Sequence, residues 1–365
     1  MKKNKAFALF SILVLVTGVS CGCGDTADTD GETDIRIIGE GGAEDGSSSD
    51  SEACGITGNG DIEVENFSVW YPYWNNDTAD AELDRIGEDL DTICFFAAYF
   101  DKNSKLFIPD DMKDKIKEYR SSGYLKEKTS YLTIVNDKLL EEGSSLKDTD
   151  LLREVIGKDE LYEKHADDVI KLTKKMKLDG VEIDYEAIKK DAELWGHFNE
   201  FIKVLSEKAS KENLKLRVLF EPSAPIDSFE WPEYPEYVMM CYNLKGYGTE
   251  PGPKADLAFI NDLYNKMSVL NGSINMAFAT GGFDFSSGGA VSQLNFKDAV
   301  SLRKDHSAIS ERDSGSAALH FEYEDELGQK HEVWYADGET LQTWMKTAKD
   351  AGCNRISVWR LGGNM

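Results

Sequence analysis

Glu182, Asp184 and Glu186 stand at alternate positions in the segment Leu178-Asp179-Gly180-Val181-Glu182-Ile183-Asp184-Tyr185-Glu186. Side chains of an extended strand alternate between its two faces, so the three carboxylates share one face and Val181, Ile183 and Tyr185 take the other. Like charges stacked at that spacing in a partly dry site repel. At least one proton should therefore be kept near neutral pH, and the row should titrate as a coupled set. A carboxylic acid held protonated at Glu186 could protonate a leaving oxygen. The apolar opposite face argues against an acid-rich edge strand facing water. The same oxygens could hold a divalent cation, but no His or further Asp cluster adjoins them, and the chain has no C-x-x-C pair. The residues therefore assign no metal ion and no cofactor.

A row of this kind needs a strand to carry it and neighbours to bury it. Short apolar, β-prone runs recur at 67–74, 92–100, 130–135, 178–185, 214–220, 237–242, 274–280 and 355–361. Between most of them lie stretches with helical spacing, such as 159–176 and 194–210. Strand and helix alternating about eight times predict an α/β chain folded as a (β/α)8 TIM barrel. In its fourth strand the carboxylates would point into the interior and rise toward the carboxyl ends, where barrel enzymes place their sites. An open doubly wound sheet is disfavoured, because no glycine-rich phosphate-binding turn follows the first run. The interval between the seventh and eighth runs is too long for one helix. It predicts a small α+β insertion at about 284–338, with strand-like pieces at 318–323 and 330–334 joined by Asp325-Glu326-Leu327-Gly328, then a last helix from about 340 to 351. Such an insertion would form one wall of a groove at the barrel mouth.

The 365 residues carry 41 Lys and Arg against 67 Asp and Glu, a formal charge of −26. That balance excludes nucleic acid and anionic membrane as charge-driven partners. Hydrophobic residues make up 41% and aromatic residues 11% of the chain, which excludes wholesale disorder. Residues 1–20 have Lys2, Lys3 and Lys5 before an apolar run and then small residues, the layout of an export signal. The following Cys21 resembles the acylated cysteine of a bacterial lipobox, with Cys23 a competing candidate. From Gly24 to Gly60 the chain has ten acids and one base, with no Pro and no aromatic residue, which reads as a tether. The expectation is an exported protein, anchored at the bacterial cell surface by lipid or simply secreted, acting as a monomer through a domain at 61–365. Cys94, Cys241 and Cys353 sit singly in apolar contexts and are expected to be buried free thiols.

Asp179 to Glu186 resembles the D-x-x-D-x-D-x-E signature of glycoside hydrolase family 18, the chitinase and endo-β-N-acetylglucosaminidase family, with Glu182 standing where Asp is usual. Met240-Cys241-Tyr242-Asn243 resembles the sixth-strand Met-x-Tyr-Asp, with Asn243 in place of Asp. Ser357-Val358-Trp359-Arg360-Leu361-Gly362 is similar to the eighth-strand ending, especially of the branch that includes bacterial spore-cortex-lytic enzymes. His331-Glu332-Val333-Trp334-Tyr335 also resembles that branch. The resemblance covers about 66–363 and implies retaining, substrate-assisted hydrolysis of glycans containing N-acetylglucosamine. It implies Glu186 as general acid and base, with Asp184 orienting the 2-acetamido N–H and Glu182 sharing a proton with Asp184. Asp179 would support the row from below. Tyr242 would donate to the acetamido oxygen, Trp359 would floor the reacting sugar, and Met240 and Asn243 would line its pocket. Tyr71 and Tyr73, placed on one face by alternation, could stack on neighbouring sugars or pack internally, and Glu221 could reach the groove. Chitin, peptidoglycan and N-linked glycans all remain open as substrates. A non-catalytic glycan-binding lipoprotein of the same fold is the alternative.

Overall fold

The computed structural model describes residues 62–362. The expected export signal, the lipidated Cys21 or Cys23 and the tether to residue 60 lie outside the described residues. Eight parallel strands close on themselves, at Asn66–Pro72, Thr92–Phe100, Thr129–Lys138, Gly180–Asp184, Lys215–Phe220, Glu236–Met240, Ile274–Ala279 and Arg355–Trp359. The first strand pairs with both the eighth and the second, which completes the (β/α)8 barrel. Each strand coincides with one of the eight apolar runs. The seams are register-fixed pairs such as Thr133 with Glu182 and Ser68 with Ser357.

The helices form where apolar spacing and caps agree. Asp148, Asp191, Asp256 and Asp337 accept backbone N–H groups at the amino ends of Thr149–Ile156, Ala192–Lys211, Leu257–Met267 and Gly338–Ala351. Each satisfies a donor the first turn would otherwise leave unpaired. On the fourth strand Val181 and Ile183 face the helices and are fully buried. Beyond it, Tyr185 packs on His165, Phe198 and Phe201.

The barrel interior has two layers. An apolar one joins Trp70, Cys94, Phe96, Tyr131, Leu219, Val238, Met240 and Ala277. A polar one, nearer the amino ends of the strands, is built around Arg217, whose guanidinium donates to Ser68, Cys94 and Ser357. Cys94, Cys241 and Cys353 are buried free thiols.

The insertion begins earlier and contains more strand than the sequence suggests. Gly281–Ser286 follows the seventh barrel strand after one residue and joins Val291–Leu294, Lys330–Ala336, Leu319–Glu324 and Glu311–Arg312 in a five-stranded antiparallel sheet. The single helix within it, Phe296–Asp305, covers the face formed by Leu319, Phe321, Val333 and Tyr335. The predicted turn is present: Asp325 Oδ1 accepts from the amides of Leu327 and Gln329, and Gly328 takes a left-handed conformation.

Candidate active site

The fourth strand begins at a close approach. A Cβ at Gly180 would lie 2.6 Å from the Lys215 carbonyl oxygen and 2.6 Å from the Tyr131 ring, so only glycine fits. Just before it, Asp179 Oδ2 accepts from the amide and hydroxyl of Ser130 at 2.9 and 2.6 Å. Asp179 therefore ties the start of the fourth strand to the third, at the end of the barrel away from the site.

Glu182 is fully buried in the interior. Its Oε1 accepts from Trp70 Nε1 and from the Thr133 hydroxyl, both at 2.6 Å. Its Oε2 lies 3.0 Å from Arg217 Nε, and that guanidinium also stands against the rings of Trp70 and Tyr131. Oε1 is thus hydrogen-bonded, whereas Oε2 has the Arg217 ion pair but no hydrogen-bond partner among the described residues. The extra methylene of Glu relative to Asp extends its reach to that cage. Arg217 continues to Glu236 at 3.6 Å, and Glu236 is held in turn by Arg355.

Asp184 is 3% exposed, and its Oδ1 has no hydrogen-bond partner among the described residues. Burial, then the charges of Glu186 and Glu182, push its carboxyl well above the usual range. Burial and these neighbouring charges favour the protonated form of Asp184. Glu186 lies just past the strand end, half-buried, with Oε2 accepting from Lys147 Nζ at 3.0 Å. Asn136 clamps its backbone: the side-chain oxygen accepts from the Glu186 amide at 2.9 Å and the side-chain nitrogen donates to the Glu186 carbonyl at 3.1 Å. Glu221 Oε2 accepts from the next amide, that of Ala187, at 2.9 Å.

Tyr242 follows the sixth strand. Burial and the nearby charges of Glu186 and Asp184 raise its phenol well above the ordinary value, so it remains a donor at neutral pH. Met240 packs in the apolar layer beneath, and Trp359, half-buried, meets Trp70 and Phe96 edge-on at 5.7 and 4.9 Å between centroids. Asn243 is exposed, with a left-handed backbone.

The aromatic run of the first strand divides differently from the expectation. Trp70, not Tyr71, faces the interior, as its bond to Glu182 shows. Tyr71 is fully buried on the helix side, where its hydroxyl donates to Asp80 at 2.5 Å and its ring packs on Phe95 and Tyr119. It is not available to a sugar. The strand ends at Pro72, and Tyr73 enters a short 3-10 turn that breaks the alternation. Tyr73 consequently leaves the face of Tyr71 and meets Trp74 and Tyr99.

Trp70, Thr133, Arg217, Asn136 and Lys147 escaped the sequence reading. The signal for Trp70 was its two-residue step from Ser68, a small polar residue suited to an interior, whereas Lys147 lies 39 residues from Glu186 in the chain and carries no local mark. Among the described residues no group of three or more His, Cys, Asp or Glu is placed to hold a metal ion.

Several known proteins are similar to this chain. The uncharacterized glycosylase YvbX of Bacillus subtilis is 26% identical over 230 residues, covering 59% of this chain and 66% of its own. The cortical fragment-lytic enzyme of Bacillus anthracis is 22% identical over 275 residues, covering 67% of this chain and 63% of its own. The chain thus spans about two thirds or less of the length of these curated relatives. Among solved structures, a chitinase from Chromobacterium violaceum superposes with a TM-score of 0.70 at 19% identity, covering 82% of this chain and 95% of its own. The spore cortex-lytic enzyme SleL of Bacillus cereus gives 0.69 at 17% identity, over 83% and 72%. The family profile described as glycosyl hydrolases family 18 matches residues 67–364, and the chain belongs to that family.

Proposed function

We propose that the protein is a retaining glycosidase that cleaves β-linked glycans containing N-acetylglucosamine with the help of the substrate's own 2-acetamido group. The observation that carries this reading is Asp184 Oδ1, buried without a donor beside Glu186 and Tyr242. A buried acceptor left unpaired is costly in the free protein. An acetamido N–H would satisfy it, and that bond would also favour the ionised carboxylate once substrate is in place.

From there the chemistry follows from the neighbours. Glu186 protonates the glycosidic oxygen while the acetamido carbonyl oxygen attacks C1, and the aglycone leaves. The Tyr242 hydroxyl donates to that carbonyl oxygen and holds it in line. Asp184 stabilises the positive charge of the cyclic oxazolinium. Water then opens the ring at C1, and Glu186 takes up the proton it releases, which restores the acid. Two displacements at C1 give net retention. Trp359 supports the apolar face of the sugar.

Reducing-end release from chitooligosaccharides, peptidoglycan and N-glycoproteins tests the reading. At least one should be cut, and Glu186→Gln should lower kcat by roughly 10²–10⁴-fold with little change in glycan binding, since the acid acts mainly in the transition state. A Glu186→Gln variant with the wild-type rate would show that another group is the acid. Binding without cleavage of any of the three would favour a surface glycan-binding protein. The export signal, the lipid anchor at Cys21 or Cys23 and the monomeric state are part of the same proposal, and intact-mass analysis of membrane fractions tests the anchor.

A further inference from the structure

If Glu186 is the general acid, it must carry a proton when substrate arrives, yet its Oε2 accepts from an ammonium 3.0 Å away. The acid is thus one partner of an ion pair and not an isolated carboxyl. Lys147 is no loose surface lysine. It lies in the loop after the third strand with a left-handed backbone, its amide donates to Asp137 Oδ1 at 2.7 Å, and its side chain is 24% exposed.

Glu221 approaches the same place from the end of the fifth strand. Its bond to the Ala187 amide supports a left-handed residue, with φ of 60°, immediately after the acid. Non-glycine residues seldom take that conformation without such support. The bond fixes Glu221 within electrostatic reach of both Glu186 and Lys147 and leaves Oε1 to carry a proton.

The groups facing this trio are Asp137, Asp184, Lys189 and Tyr242. Carboxylates outnumber ammonium groups, so part of the negative charge has to be neutralised by protons. Burial, and then repulsion by Glu186, push Glu221 up to about 7 against the pull of Lys147. Burial works against the Lys147 ammonium, but Glu186 and Glu221 outweigh it and keep it charged.

We propose that Glu221 is the proton reservoir of the general acid, and that Lys147 is the counter-ion the two glutamates share. The inference rests on the reading of Glu186 given above. In the resting arrangement Lys147 pairs with the Glu186 carboxylate while Glu221 Oε1 holds the proton. For reaction the Glu221 O–H bond breaks and a Glu186 O–H bond forms, and the ammonium turns from Glu186 to the newly ionised Glu221. Both arrangements contain one proton, one ammonium and one carboxylate charge, so the exchange needs no outside acid. Neither Glu221 nor Lys147 touches the sugar; both act through Glu186.

The test titrates the full chain, labelled with ¹³C at glutamate Cδ, by NMR, alongside the pH dependence of kcat/KM on whichever glycan is cleaved. A glutamate resonance should titrate near pH 7 and vanish in Glu221→Gln, whose amide oxygen can still accept from Ala187. The alkaline limb of the rate profile should fall by about one pH unit in Glu221→Gln, which removes a neighbouring negative charge. It should rise by about one unit in Lys147→Met, which removes a positive one. Lys147→Arg should keep the wild-type limb. Survival of the resonance near pH 7 in Glu221→Gln, or slower turnover in both variants with unmoved limbs, would overturn the proposal. If no glycan is cleaved, the hydrolase reading fails while the NMR titration still decides whether the glutamates and Lys147 form this unit.

Discussion

Asp184 shows most clearly how one residue trades stability for chemistry. Its folded-state affinity for a proton is raised by burial and by two neighbouring carboxylates. Above the ordinary aspartate value near 3.9, the folded form therefore binds more proton than the unfolded form, and ionising it costs stability as the pH rises. Asp184→Asn should accordingly unfold at a higher temperature than the wild type at pH 7, with the gain shrinking toward pH 4. The same substitution should strongly reduce turnover, because a neutral amide stabilises a developing positive charge poorly. Thermal melts at the two pH values and a rate assay measure both effects. The carboxylate row itself was legible because its period of two falls within a single strand. Its partners were not: Asn136, Lys147 and Arg217 come from the neighbouring strands and a loop, and only strand pairing in the folded sheet brings them to Glu182 and Glu186.

At the level of elements, the site depends on how the fourth strand lies against the third and fifth. Gly180→Ala would drive a methyl group into the Lys215 carbonyl and the Tyr131 ring. Neither can retreat inside a closed sheet, so the variant should lose roughly 1–3 kcal/mol of stability by denaturant unfolding. A wild-type midpoint would mean that the two strands can separate there. Strand positions were readable because each apolar run ends in turn residues, and helices because apolar residues recur every three or four positions between the runs. The facing of the first strand was not, since Trp70 and Tyr71 are both large and aromatic and alternation does not say which is inside. The Gly281–Ser286 strand was hidden by its glycines and by the absence of a turn between it and the seventh barrel strand.

The whole molecule sets a second pH dependence. His165 is buried in the helix layer, paired with the Tyr185 hydroxyl at 2.5 Å, and burial pushes it down to about 3. It is neutral in the folded state and takes a proton on unfolding below about 6.5, so its contribution to stability is lost as the pH falls through that value. His165→Gln lacks this penalty. Its stability deficit relative to the wild type should narrow by about 2 kcal/mol between pH 7 and pH 5, as followed by urea unfolding. A deficit independent of pH would mean that His165 titrates alike in the folded and unfolded states. Most of the other charge is solvated surface, including exposed pairs such as Lys117 with Asp114, which are worth little each. The barrel was legible from eight spaced runs, and the polar layer around Arg217 was not, because a single Arg in an apolar run gives no hint of its partners.

The central claim is that the sugar's acetamido oxygen, aided by Asp184 and Tyr242, attacks C1 before water does. Proton NMR of the first products released from an N-acetylglucosamine oligosaccharide tests it most directly, read before the anomers equilibrate. The account requires the β-anomer to form first. Initial release of the α-anomer would mean that water attacks C1 in a single displacement and would contradict it.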